Sequence, residues 1–460
     1  MSAFATIAQE SADGQNTDAG VAVPEEETAT AAVSEATADA QDVAQEDADA
    51  EQLNDEQDEL SDVEEAVAQE SEGLTPQAAA MLNIALKNIV GKTHANKIIA
   101  TENYSSSRGA QREAKQIALE GIKETLKRFW DAIKAQLKKF YNKVKSFFVK
   151  VFSAARKLGD RAKKLQQKAN DTVGTIEEKS FSFGQTKTIA VDGKYNEPGS
   201  LTTGLSNIRK WIDGNITVKK SDDYENIIEK AQSAVEKAVK SLGSSGNVTL
   251  RDHAGVMKEL TEGGHLSIAP LSTATPEPKL ADMFSGGKDS KDSVQMSQSL
   301  PGGKAIFKVV AKGDGEITID SLTKRVKNSR LILGNDKYNP RDVSEGDVKT
   351  LTTSQIDKVC DDVIEIAETS YTYEKAWEKR DKFQAKLERE IDAIVKDVNS
   401  DNEDKNDSRA DRIVRDYATA FTTSVRRRTT FESQFISYAL NVGSAMLNYS
   451  ERSLAQHKAK

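Results

Sequence analysis

Apolar residues recur with a helical period through the most basic stretch of the chain. Ile122, Leu126, Phe129, Ile133, Leu137, Phe140, Val144, Phe147 and Val151 are separated by fours and threes, eight steps over 29 residues. This spacing predicts one long amphipathic helix. The mean step lies nearer the 3.6 of a straight helix than the 3.5 of a coiled-coil seam, so the stripe requires a partner surface but no supercoil. Upstream, Thr75-Pro76 pairs a capping hydroxyl with a first-turn proline. Met81, Leu82, Ala85, Leu86, Ile89 and Val90 then form a shorter amphipathic helix that stops near Gly91. Tyr104 to Gly109 reads as a hinge, after which the helical pattern runs to about Ala169.

From Thr353 the chain is helical again. Ile356, Val359, Val363, Ile366, Tyr373, Trp377, Leu387, Ile391, Ile394 and Val398 line one helix. Val414, Tyr417, Phe421, Val425, Phe431, Phe435, Tyr438, Val442, Met446 and Tyr449 line a second. The polar run Asn399 to Ser408 breaks them, and two long helices joined by so short a turn are expected to pack antiparallel. Between the helical ends, Ser180 to Phe183, Thr186 to Val191, Ala305 to Ala311 and Glu316 to Ile319 alternate like strands, with Gly313-Asp314-Gly315 as a hairpin turn. Helices are expected over Asp222 to Leu242, closed by Gly243, and over Leu250 to Leu260, and a loop over Ala274 to Gly303. The expected fold is mainly α with a smaller α+β middle domain. Its parts are 1–70, a disordered acidic leader; 71–170, helical with the basic amphipathic helix; 180–345, the α+β domain; and 353–460, an antiparallel helical hairpin.

Charge divides the chain more sharply than hydropathy. Met1 to Glu70 holds 21 Asp or Glu and no Lys or Arg, so the other 390 residues carry a formal +12 although the whole chain is at −9. Gly121 to Lys168 alone holds 15 basic and 3 acidic residues. The leader has Phe4 as its one aromatic, and by itself it lacks the apolar surface to offset the entropy of ordering. Within it one triplet occurs three times, as Ala8-Gln9-Glu10, Ala44-Gln45-Glu46 and Ala68-Gln69-Glu70, the first and last followed by Ser11 and Ser71.

Candidate chemistry is sparse. Gly91-Lys92-Thr93 resembles the end of a phosphate-binding loop, but the position that needs the first glycine is Leu86. Gly286-Gly287-Lys288 and Gly302-Gly303-Lys304 lack the following hydroxyl residue. No Gly-x-Ser-x-Gly elbow accompanies His253 or His265, Glu388 and Glu390 point to different sides of a helix, and Asp314 to Asp320 lacks calcium-loop spacing. One cysteine, Cys360, excludes an internal disulfide, and four histidines show no metal-ligand spacing. The reading is a non-enzyme with no metal and no cofactor. The first residues lack the pattern of a secretory signal, and no apolar run approaches the roughly 20 residues of a membrane span.

The basic helix admits three roles: packing with a solvated Lys face, contact with nucleic acid, or an interfacial membrane helix with Trp130, Phe147, Phe148 and Phe152 in lipid. Its charge density points to an anionic partner, DNA or membrane, engaged through Lys127, Lys134, Lys138, Lys145 and Arg156. Arg426, Arg427 and Arg428 are a second candidate grip on phosphate, or else a solvated face of the last helix.

An acidic leader with repeated Ala-Gln-Glu triplets ahead of a net basic helical body resembles the internal head (inner-body) proteins of giant phiKZ-like tailed bacteriophages. The resemblance implies a virion protein assembled in the host cytoplasm, lying inside the capsid with other head proteins and packaged double-stranded DNA. It also implies that a prohead protease cuts after a small residue, any residue and Glu. Ala68, Glu70 and Ser71 then mark the main cleavage site, with earlier or minor cuts after Glu10 and Glu46. The alternative is an ejected effector or membrane-active virion protein that uses the basic helix on anionic lipid.

Overall fold

The computed structural model describes residues 25–90, 107–172, 175–217, 292–312, 319–337, 346–400 and 408–457, and parts of 219–284. Four long helices dominate: α1 (Glu25–Gln69), α3 (Arg108–Asp171), and the C-terminal pair predicted from periodicity, α9 (Thr353–Ser400) and α10 (Ser408–Leu454). The short α2 (Pro76–Val90) joins the first two. Between α3 and α9 lie β1 (Ser180–Phe183), α4 (Thr186–Ile189), α5 (Pro198–Asn215), α6 (Leu250–Lys258), α7 (Pro278–Phe284), β2 (Ser293–Met296), β3 (Lys304–Val310), α8 (Ile319–Asn328), β4 (Arg330–Asn335) and β5 (Gly346–Lys349).

Side-chain pairs give the direction of each long helix. Along α3 and α1, Arg161 meets Thr30, Lys150 meets Asp39, Lys143 meets Asp42 and Lys115 meets the Ala68 carbonyl, so the two run antiparallel. Arg156 with Glu374, Lys163 with Glu368 and Gln166 with Asp357 set α9 antiparallel to α3. Tyr373 with Glu432, and Leu351 with Ser453, set α10 antiparallel to α9, as the short connection required. Finally Arg412 with Asp62, Arg426 with Asp47 and Ser437 with Thr37 close the ring between α10 and α1. The result is an up-down-up-down bundle in which α3 and α10 run parallel, linked by Arg161 and Glu451 at 2.5 Å. At 64 residues α3 is about 96 Å long, and it contributes to every core cluster of the bundle.

The helix starts follow local chemistry. The Ser107 hydroxyl accepts from the Ala110 N–H at the head of α3, and the Thr75 hydroxyl accepts from Ala78 at the head of α2. The stripe from Ile122 to Val151 is buried along its whole length, as its period predicts.

The strands form two small antiparallel sheets. One has the order β2-β3-β4 and the other pairs β1 with β5, aligning Phe181 with Val348. Leu201, Leu205, Ile306 and Val348 of this middle segment share one cluster with Phe148, Val363 and Phe435 of the bundle.

Four expectations change. Residues 25–69 of the acidic leader are helix, where disorder was expected. Residues 1–24 lie outside the described residues. Thr186 to Val191, read as a strand, begins with the one-turn helix α4, because Thr186 and Ile189 are buried together three residues apart and Ala190 donates to the Thr186 carbonyl. The loop expected over Ala274 to Gly303 contains α7 and β2. The Gly313 to Gly315 turn, residues 316–318 of the next expected strand and much of the helix expected over Asp222 to Leu242 lie outside the described residues; Ile319 begins α8.

Candidate processing segment and anionic interface

The acidic helix is held by a seam that its composition conceals. Ala29, Val33, Ala36, Ala40, Val43, Asp47, Ala50, Asn54, Gln57, Ser61 and Glu64 are all buried and follow one another by fours and threes, a mean step of 3.5. That is a heptad seam. Its first half is small and apolar, with Val33, Ala36 and Val43 packed in the cluster of Phe140, Val144 and Phe147. Its second half is mostly polar. Residues 25–69 contain no Gly or Pro and are rich in Ala, Glu and Gln, so helix propensity agrees with the fold once α3 and α10 supply a surface.

Ion pairs flank this seam on both sides. On α3, Lys143 reaches Asp42 at 2.8 Å and Lys150 reaches Glu35 at 2.9 Å. Hydrogen bonding to these carboxylates raises the pKa of both lysines. On α10, Arg426 meets the Asp47 carboxylate at 2.6 Å and its backbone carbonyl at 2.7 Å, and Arg415 meets Glu64 at 2.8 Å. Arg412 meets Asp62 at 2.6 Å as well as Glu65, Arg427 pairs with Glu51, and Lys327 of α8 pairs with Asp58. Burial pulls the pKa of Arg427 below its ordinary value, and Glu51 and Asp47 oppose that shift. Most of these basic partners were not singled out from the sequence. The 3.5-residue repeat of small and polar residues in the leader was the available signal, masked by the alanine-rich background.

The predicted contact residues fall into different settings. Lys127 and Lys138 are exposed on α3, Lys134 is half-buried and pairs with Asp131 at 3.0 Å, and Lys145 is half-buried. Arg156 pairs with Glu374 and lies 3.9 Å above the Tyr371 ring. Arg426, Arg427 and Arg428 are buried, so in this fold they face neither solvent nor phosphate. Two of them bind α1, whereas Arg428 binds Glu432 of its own helix at 2.6 Å. Trp130, Phe147, Phe148 and Phe152 lie in the core, with Phe148 stacked on Trp377 at 4.6 Å, which leaves the membrane reading without its apolar face. No described helix is long and apolar enough to cross a membrane, and no cluster of potential metal ligands occurs among the described residues.

The expected cleavage residues also differ from one another. Glu70 and Ser71 are exposed and follow the last helical residue of α1. Lys115 of α3 donates to the Ala68 and Glu70 carbonyls at 2.7 and 2.9 Å, capping the end of α1. Just beyond, Gly73 has φ +98°, and a Cβ there would lie 2.5 Å from the Gln111 carbonyl. Only glycine fits this close turn. Glu46 instead lies inside α1, where Gln136 donates to its carboxylate at 2.7 Å. Glu10 lies outside the described residues. Ala118-Leu119-Glu120, another triplet of small residue, any residue and Glu, lies inside α3.

A family model described as phiKZ-like phage internal head proteins matches residues 28–452. The chain belongs to that family. This internal head protein is thus a structural component of the phage virion. No curated protein and no solved structure matches it. The family match begins within α1, so the acidic helix is part of what the family shares rather than a foreign appendage.

Proposed function

We propose that this internal head protein is processed after Glu70 and that its basic body, 71–460, binds packaged double-stranded DNA without sequence preference. The observation that supports this most directly is the position of the Glu70–Ser71 bond. It is exposed and outside any helix, at the junction between an entirely acidic helix and a body of net charge +12. Proteases act on accessible chain, so this site is open in the folded molecule while the Glu46 site is closed by helix and packing. Protein recovered from finished particles is expected to begin at Ser71, as read by N-terminal sequencing and intact mass. Glu70→Gln removes the acid at constant size and is expected to stop this cut, and Lys115→Gln is expected to hasten it by releasing the two carbonyls. A particle protein beginning at residue 1 or 2 would refute processing.

The DNA contact has its own measurement. Each engaged phosphate contributes about −0.9 to the slope of log affinity against log salt, so five engaged cations give a slope of about −4 to −5. Replacing Lys127, Lys134, Lys138 and Lys145 together by Gln retains helix propensity and is expected to flatten the slope. An unchanged slope places the contact on another face.

A further inference from the structure

We propose that the polar stripe of α10 under α1 is a track for the phosphate backbone of double-stranded DNA, and that α1 is a displaceable cover over it. The proposal rests on the DNA-binding reading above, but moves the principal contact from the lysines of α3 to a covered face. Arg415, Thr419, Thr423, Arg426, Thr430 and Ser437 follow one another at helical spacing and so share one side of α10. Arg415, Arg426 and Ser437 all bond to α1. A bundle helix ordinarily turns apolar residues inward, yet this buried side offers guanidinium and hydroxyl groups. Those are the groups that hold phosphate oxygens.

The fit between α1 and the stripe is complementary in charge but incomplete in bonding. Among the described residues, Nε of Arg415 and Arg426 and the hydroxyls of Thr419 and Thr430 have no hydrogen-bond partner. On the α1 side the same holds for Asn54 Oδ1, Gln57 Oε1 and Glu64 Oε1. Donors and acceptors thus remain unspent on both sides of one interface, an arrangement that costs stability and favours an occupant with denser acceptors. The present occupant already has the sign and form of that ligand. It is a helix about 68 Å long that carries 17 carboxylates and no cation over 45 residues. Beyond Val33, Val43, Leu60 and Val67 its buried apolar side is alanine, so each turn contributes little apolar area against a competing polyanion. Its C-terminal end is tied to α3, where Leu74 is buried and donates to the Gln111 carbonyl and Lys115 holds the Ala68 and Glu70 carbonyls, so in the intact chain α1 would lift from its N-terminal end, and after a cut at Glu70 it is held by its packing and ion pairs alone.

The test uses the full chain with Thr37→Cys and Ser437→Cys, whose hydroxyls are 3.1 Å apart at the far end of α1 from that connection. The native Cys360 is buried. Affinity for a mixed-sequence 30-base-pair duplex is measured against salt in the reduced and oxidised forms of this one polypeptide, which controls for folding. The reduced form is expected to bind at least about tenfold tighter, with a slope steeper by about 3 to 4 as Arg412, Arg415, Arg426 and Arg427 become available. Asp47→Asn with Glu64→Gln, in the unlocked chain, is expected to tighten binding further. Equal binding by the two redox forms overturns the track. If binding is then lost on changing Lys127, Lys134, Lys138 and Lys145 together to Gln, DNA binding stands on that other face. If no form binds duplex, both readings fall. Reduced protein that ignores duplex yet binds phosphatidylglycerol vesicles overturns DNA as the partner.

Discussion

Arg428→Ala is expected to destabilise the folded chain by about 3–5 kcal/mol, because it removes the cation that pairs with a buried carboxylate. Glu432 is fully buried and accepts from Arg428 Nε and from the Tyr373 hydroxyl, both at 2.6 Å. Arg428 also donates to the Asn215 carbonyl, so its loss removes a bond to α5 as well. Replacing Arg428 and Glu432 together by Met is expected to recover most of the loss, since no charge then remains to be desolvated. Urea unfolding of the single and double variants measures both effects. A single variant within about 1 kcal/mol of wild type would show that Glu432 finds solvent or a proton elsewhere. The contrast with Arg426 and Arg427 matters for function. Their carboxylate partners Asp47 and Glu51 are on α1, whereas Glu432, the carboxylate partner of Arg428, is on its own helix.

Phe435→Asp should be at least as damaging, with an expected loss of about 4 kcal/mol or more from the lost ring and the buried unpaired charge together. The Phe435 ring lies 4.1 Å from Trp211 and 6.1 Å from Phe431, at the point where α5 packs on α10. The measurement is the thermal midpoint together with the urea midpoint at unchanged slope. An unchanged midpoint would mean that this face is open to solvent in the free protein. Leu387, on the same C-terminal pair, lies beyond the described side chains, so the test belongs at Phe435.

The long helices were legible because their evidence is local. The stripe from Ile122 to Val151, the polar run Asn399 to Ser408 and the capping groups at Thr75 and Ser107 all act within a few residues of the positions they define. Large side chains at a constant period leave only one buried face available.

The chain's own residues determined that it is mainly helical, that its last hundred residues form an antiparallel pair, and that its negative charge is gathered at one end. Which surfaces those charges meet was decided only by tertiary structure. Residues 25–69, taken alone, have too little apolar surface to order themselves, and they fold because α3 and α10 supply bases at matching intervals over about 68 Å. The same docking turns Arg426 and Arg427 from expected solvent-facing cations into buried ion-pair partners. Periodicity along one helix says which face is turned inward, but not what another helix nearly four hundred residues away places against it.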